Sequence, residues 1–428
     1  MRVNTTKGVQ ERSALLPDHS AQGLSISCPT DAQTEGGNFS LQVADSLEAV
    51  EGLRYIWNQW SHNLDTDLDY YLHNLKNDPT ILRPHVITIR QDGIPLAMVV
   101  GQVRKQRIST VVSFVNVSGP KVTMLEVVNG GRLGKQSAAI NRLLASHLCG
   151  ATRSEDVDLL CFRRLPLQSE LFRMLQQCPG LMKERVPHVF HYSVVPLTAS
   201  PDEHPRAFSG RNKREIRRKT RILWRTFPSK ARFQCFSQPE ELESGLRDAA
   251  SVDVTTWQHH MGCGLLDARR SHNNLAFCAG QGWLRIYVMY VDQSPVAFLI
   301  GQHYNRTFYC QHAGYHPDFS RFSVGSLLTA WVLETLATEG IEQVDLGEGR
   351  QEHNRRLGCR VHEEGTVHVY SPTLRGLYVN VLFATTQTIR AVGRRGIKTL
   401  RLDKASKAWS QLLISRWKSR KLVGDPCS

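Results

Sequence analysis

Residues 91–102 read QDGIPLAMVVGQ, and two hundred positions further on residues 291–302 read VDQSPVAFLIGQ. Laid together, the two stretches share Asp92/Asp292, Pro95/Pro295, Ala97/Ala297, Gly101/Gly301 and Gln102/Gln302. Matches of that density over twelve positions point to an internal duplication. In each copy strand-sized apolar runs flank a polar turn, and Asp92-Gly93 is a strong hairpin signal. Hairpins are therefore expected over 85–105 and 285–305.

The correspondence continues outward. Each hairpin is followed by a helical pattern, KQSAAINRLLASHL or VGSLLTAWVLETLATEG, and then by a short strand, DVDLLCF or IEQVDLG. FSLQVAD and SLEAVEGLRYIWNQW, with Leu47, Val50, Leu53 and Trp57 at helical spacing, open the first copy. The basic helix within HPRAFSGRNKREIRRKTRILWR opens the second. The expected fold class is α+β: two tandem units, 39–198 and 199–372, each a mixed, mostly antiparallel sheet flanked by helices. A polar, aperiodic segment, 1–38, precedes them and a basic helical tail, 373–428, follows.

At 428 residues, with 41% apolar residues, the chain has room for two cores. Its ten cysteines form no CxxC pair and no metal-type spacing with histidine, so they read as incidental thiols of a reducing cytosol. No apolar run reaches membrane-spanning length and no secretory leader is visible, so a soluble cytoplasmic protein is expected. The net charge of +14 is concentrated near the C-terminus, where eleven cations between Arg390 and Lys421 face the single acid Asp403. Tryptophans and leucines interleave with those cations, so the tail is either a helix packed against the second unit with its charges outward or a basic surface for an anionic membrane. Nucleic acid is the less favoured partner.

In the second copy the hairpin leads into TFYCQHAGYHPDFSRFSVGSLLTAW, residues 307–331. The helix is expected to begin near Val324 or Gly325, with Ser323 as N-cap. The open N–H groups of such a start, with Gly325 permitting close approach, form an anion site; the competing reading is an ordinary capped helix. In the first copy VNGGRLGKQSAAI offers Gly130, Gly131 and Gly134, which read as a flexible turn in preference to a phosphate cradle. That half is expected to bind the acceptor or to serve as scaffold.

The order hairpin, strand, GYHPDFSRFSVGSLL, helix, VDLGEGRQEHNRRLG resembles the acetyltransferase domain of the CelD/BcsL type within the GNAT superfamily. Gly314, Tyr315, Pro317, Ser323, Gly325, Asp345 and Gly349 match the motifs of that group. His316, Val324 and His353-Asn354 depart from it, the last replacing a Tyr-Lys pair. The resemblance spans about Phe39 to Pro372 and is strongest in the second half; Trp257 and the upstream basic helix take part in it. It also extends distantly to the Fem-type transferases that add amino acids to peptidoglycan precursors.

The resemblance implies an acyl-CoA donor, such as acetyl-CoA, with its pyrophosphate held by Ser323, Val324, Gly325 and Ser326 and assisted by Arg321. It implies direct attack of an amine or hydroxyl on the thioester, beside the strand TFYCQHAGY. Glu348, Asp345, His353 and Tyr315 are the candidates for proton transfer. Asp345 reads equally as structural and His353 as a surface residue. Trp257 reads as core or as a wall of the acceptor pocket, and Arg355 as a substitute cation or a surface charge. The implied acceptor is a small molecule or a sugar-containing precursor of a cell-surface polymer. Two rival readings remain: a non-catalytic protein of the same fold that binds membrane or nucleic acid through its tail, and a transferase using aminoacyl-tRNA.

Overall fold

A computed structural model describes residues 38–60, 62–112, 115–154, 157–178, 182–184, 188–197, 210–256, 259, 269–348, 357 and 359–399. In the first half the elements are β1 (Phe39–Ala44), α1 (Leu47–Glu51), α2 (Arg54–Trp57), α3 (Leu68–Asn77), β2 (Ile81–Gln91), β3 (Ile94–Val112), β4 (Val115–Gly134), α4 (Ala138–Ser154), β5 (Leu159–Pro166), α5 (Glu170–Gln176) and β6 (His188–Pro196). The second half supplies α6 (Gly210–Thr226), β7 (Ala231–Phe236), α7 (Leu242–Asp253), α8 (Arg269–Gly280), β8 (Leu284–Val291), β9 (Ser294–Tyr304), β10 (Thr307–Tyr315), α9 (Val324–Thr338), β11 (Gln343–Asp345), β12 (Arg360–Tyr370) and α10 (Leu374–Thr399).

The duplicated hairpins are β2–β3 and β8–β9, closed by the pairs Gln91↔Ile94 and Val291↔Ser294. Asp92 and Asp292 lie at φ 51° and 56°, the left-handed region that two-residue loops require for their twist to match the flanking strands. Both hairpins carry a register shift at the same point, where Arg90 faces Pro95 and Tyr290 faces Pro295. Proline has no N–H for the ladder, so the shift follows from the shared residue. The duplication is thus written in the backbone as well as in the letters.

All strands join one sheet in the order β1-β2-β3-β4-β5-β12-β6-β11-β10-β9-β8-β7. Each half contributes an antiparallel run followed by one parallel pair, β4 with β5 or β10 with β11. The closing strands are exchanged. β12, from the second half, pairs with β5 of the first, while β6, from the first, pairs with β11 of the second, and β6 and β12 pair with each other.

Side-chain alternation along the strands builds a core on each face. In the first half Ile87, Val99, Leu125 and Phe162 pack against Leu144 and Leu148 of α4 and Phe172 of α5. On the other face Val86, Met98 and Val100 meet Trp57 and Tyr71. In the second half Met289, Leu299 and Phe308 pack against Leu223 of α6 and Leu327, Leu328 and Leu336 of α9. Opposite them Ile286, Val288 and Phe298 meet Leu246 and Val252 of α7 and Leu275 of α8.

Four expectations are corrected. The single helix expected over 46–60 breaks at Gly52-Leu53 into α1 and α2. Gly130, Gly131 and Gly134 are not a turn but the end of β4, where a Cβ on Gly131 would lie 2.6 Å from the Val100 carbonyl oxygen; the glycines let two backbones approach. The tail helix α10 packs on the first half, not the second, with Val379 buried among Ile108, Val122, Met124 and Tyr370. That placement follows from β12, which delivers the chain to the first half's side of the sheet. Cys149 and Cys178, read as incidental thiols, are joined in a disulfide between α4 and the end of α5. The rest of the tail, 400–428, lies outside the described residues. Among the described residues no helix is long and apolar enough to cross a membrane.

Candidate active site

β10 and β11 pair at only three positions, Thr307↔Gln343, Phe308↔Val344 and Tyr309↔Asp345. Past Tyr309, β10 continues along β9 through a bulge between Cys310 and His312. The chain past Asp345 instead follows β6: Leu346 N–H donates to the Ser193 carbonyl at 2.9 Å, and Ser193 N–H to the Gly347 carbonyl at 3.2 Å. The two strands therefore diverge. Between Cys310 and Tyr315 the edge of β10 turned toward β11 has no strand partner among the described residues.

Helix α9 starts at the far end of this edge. A 3-10 turn over Pro317–Phe322 runs into Ser323, which adopts a left-handed conformation, φ 57° and ψ 40°. Ser323 occupies the N-cap position, as expected, but its hydroxyl makes no capping bond. A capping residue needs extended backbone to swing its oxygen onto the first turn, and the left-handed geometry prevents that. The N–H groups of Val324, Gly325 and Ser326 have no partner within the helix. Val324 is buried in the core and anchors the turn. The Tyr315 ring lies over Gly325, where an added Cβ would sit 3.2 Å from it. The Arg321 guanidinium stands over the Phe322 ring at 4.6 Å, and the Arg321 carbonyl accepts from Lys219 Nζ at 2.6 Å, tying α6 to this turn.

The first half's counterpart is closed. Ser137 Oγ accepts from Ile140 N–H at 3.3 Å, capping α4. In front of that turn Arg132 donates to Asn141, whose Nδ2 donates to Glu170 Oε2 at 2.8 Å. A helix start that is capped and filled by its own side chains leaves no room for an anion, so the open site belongs to the second half.

On the α7 side of the gap stand His312 and Gly314, the latter against Phe298 and Thr256. Burial pushes His312 below its ordinary value, and the Asp253 carboxylate opposes the shift without cancelling it. The imidazole is therefore neutral near pH 7 and free to accept a proton. Asp253, at the end of α7, also lies 3.3 Å from His259 Nδ1. Across the gap Tyr192 donates to Glu348 Oε1 at 2.8 Å. Asp345 accepts from Gly347 N–H at 2.7 Å and pairs with Arg164 Nη1 at 3.1 Å. Arg164 also binds Glu364 Oε2 through Nε at 2.7 Å and stacks over the Tyr192 ring at 3.9 Å. It does so at φ 55°, a strained conformation for arginine that these partners hold in place. Cys310 borders the gap, but burial, reinforced by Asp345, pushes its thiol up to about 12. It supplies no thiolate nucleophile near pH 7.

Beneath the last paired residues is a cavity of about 270 Å³, lined from the first half by Asn63, Gly130, Arg164 and Val194 and from the second by Thr307, Tyr309, Gln343, Asp345 and Glu364. It adjoins a second of about 330 Å³ that shares Asn63, Gly130, Thr307, Tyr309 and Gln343.

Of the residues singled out from sequence, Asp345 and Glu348 lie along one lip of the gap, and Tyr315, Arg321 and Ser323–Ser326 lie at the end of the other. Trp257, His353 and Arg355 lie outside the described residues. Sequence reasoning passed over His312, Arg164, Tyr192 and Glu364. His312 stood within the quoted strand, and the bulge that aims it breaks the alternation by which it could have been found. Arg164 and Glu364 are 200 residues apart and meet only through the strand exchange.

A family profile described as acetyltransferase (GNAT) domain matches residues 210–355. No curated protein matches the chain by sequence. Among solved structures, a tandem GNAT protein from the clavulanic acid biosynthesis pathway is 10% identical with a TM-score of 0.44, over 78% of this chain and 99% of that one. The C-terminal domain of a putative lysylphosphatidylglycerol synthetase from Agrobacterium fabrum is 12% identical with a TM-score of 0.46, over 79% and 96%. The crystal structure of FemX is 11% identical with a TM-score of 0.51, over 75% of this chain and 96% of FemX, and shares its fold. Residues 210–355, the segment that supplies the gap between β10 and β11 and the open start of α9, are thus similar in sequence to the acetyltransferase (GNAT) domain.

Proposed function

We propose that the protein transfers an acyl group, most simply acetyl, from acyl-CoA to the amine or hydroxyl of an acceptor. One observation carries this reading: the gap between β10 and β11 ends at the uncapped first turn of α9, within the segment matched by the GNAT profile. The donor's pyrophosphate would sit on the N–H groups of Val324, Gly325 and Ser326, where the helix dipole favours negative charge. The thioester arm would lie along the open edge Cys310–Tyr315, whose N–H groups would stabilise charge on the carbonyl oxygen during attack. The acceptor would enter from the α7 side and lose its proton to neutral His312, or through water to Glu348. Its lone pair then forms the bond to the carbonyl carbon as the carbon–sulfur bond breaks. The departing thiolate takes up a proton, for which Tyr315 is a candidate donor. A positioned base of this kind contributes a factor of about 10²–10⁴ in rate.

Thermal-shift titration tests the donor. Acetyl-CoA at a hundred times its dissociation constant should stabilise the protein by about 2.7 kcal/mol. Gly325→Glu puts a carboxylate at the helix start and crowds Tyr315, so it should weaken acetyl-CoA at least tenfold, about 1.4 kcal/mol. No shift of the unmodified protein at millimolar acetyl-CoA would overturn the reading.

A further inference from the structure

Helix α10 holds to the body by one side. Val379 sits among Ile108, Val122, Met124 and Tyr370, the Phe383 ring stacks on His368 with centroids 5.6 Å apart, and Asn380 Nδ2 donates to the Lys183 carbonyl at 3.1 Å. The opposite side carries Leu374, Tyr378, Val381 and Ile389, which are 87%, 57%, 46% and 49% exposed and whose spacing puts them on one face. Thr385 and Thr388 are exposed beside them. Over 374–389 the only charged residue is Arg375, and it is turned to Asp158 at 3.5 Å. A surface helix ordinarily meets water with charged side chains, whereas an apolar outer face marks a helix that is covered there as well. Among the described residues nothing covers this one.

We propose that this face, together with the basic segment into which the chain continues, docks on an anionic lipid bilayer. The inference is independent of the acyl-transfer reading. Charge identifies the partner. At Arg390 the nearly uncharged stretch gives way to a segment whose eleven cations face one acid, so residues 390–421 carry ten of the chain's fourteen net positive charges. A bilayer answers both features, with phosphates for the cations and an acyl boundary for the leucine, tyrosine, valine and isoleucine. A nucleic acid would engage the cations and leave the apolar face in water. A second copy seated on the face would bring two basic segments together, and their like charges would oppose the pairing. No described helix is long and apolar enough to cross a membrane, so α10 would lie along the surface. Because Val379 and Phe383 fix α10 to the sheet, docking would orient the body of the protein rather than merely tether it.

Vesicle flotation of the full chain tests this. Vesicles of equal parts phosphatidylcholine and phosphatidylglycerol should carry the protein with them, vesicles of phosphatidylcholine alone should bind it at least tenfold more weakly, and raised salt should release it. Tyr378→Glu together with Val381→Glu places charge at exposed positions. The pair should weaken binding to the mixed vesicles at least tenfold, while the thermal transition measured without vesicles stays in place. The proposal is overturned if the mixed vesicles fail to bind the protein, if both kinds bind it equally, or if the paired substitution leaves binding unchanged. A thermal transition lowered by the pair would show the face to be covered by the protein's own chain, and a dimer lost with it would show a second copy there; either result sinks the proposal. So would binding of a DNA duplex, untouched by the pair, in a protein that ignores the mixed vesicles.

Discussion

His312 shows how one side chain is given a task by its surroundings. Burial lowers its proton affinity, so the folded protein binds fewer protons there than the unfolded chain does as pH falls below about 6.5. The sign follows: His312 withdraws stability as pH falls through 6.5 toward its folded value, and the neutral, proton-accepting form survives to more acid pH than an exposed histidine allows. If it is the base, the acid limb of kcat/KM lies below pH 6.5. His312→Asn should lower kcat/KM at pH 7 by about 10²–10³ and erase that limb, with acetyl-CoA affinity unchanged. An unaltered pH profile in the variant would return the role to Glu348. At this scale sequence served unevenly. Gly325, Asp345 and Glu348 stand out because they belong to short contiguous patterns. Nothing local marks Arg164, whose three partners come from β11, β12 and β6.

Among the elements, β12 is the one whose placement sequence could least foresee. The hairpins β2–β3 and β8–β9 were legible because the turn and the alternation lie within about twenty residues. The partners of β12 are β5 and β6, and pairing at such separation leaves no periodicity in the letters. Its anchor is a buried pair. Glu184 accepts from His368 N–H at 3.0 Å and from the ring Nδ1 at 2.8 Å. Burial disfavours the imidazolium, but Cys161 and Glu184 outweigh it and raise His368 to about 10. The stability this contributes is fully present below about pH 6.5 and is lost as pH rises through 10. Glu184→Ala strands a charged ring and a backbone donor inside the protein, and should cost about 3–5 kcal/mol in urea unfolding. In that experiment the midpoint should fall while the denaturant slope stays constant; an unchanged midpoint would mean the pair contributes nothing to holding β12.

For the whole molecule, the exchange of β6 and β12 means that neither half completes its sheet from its own residues. Residues 39–198 expressed alone would lack β12 beside β5, and residues 199–399 would lack β6 beside β11. Neither fragment should show a cooperative thermal transition, whereas the two produced together should form a one-to-one complex with native-like circular dichroism. A cooperative melt of 39–198 by itself would show that the exchanged strand is dispensable. The intact chain should unfold in one calorimetric transition, despite a length at which separate transitions are common. The same arrangement sets a timetable for synthesis. Pro166 at the end of β5 leaves the ribosome about 190 residues before Arg360 at the start of β12. At 5–20 residues per second that is an interval of about 10–40 s. Throughout it the nascent first half carries a bare strand edge of the kind that recruits strands from other chains. Every newborn copy therefore passes through a window of aggregation risk fixed by topology, and the yield of folded protein should depend on translation rate and on chaperones that cover the edge until the last strand arrives.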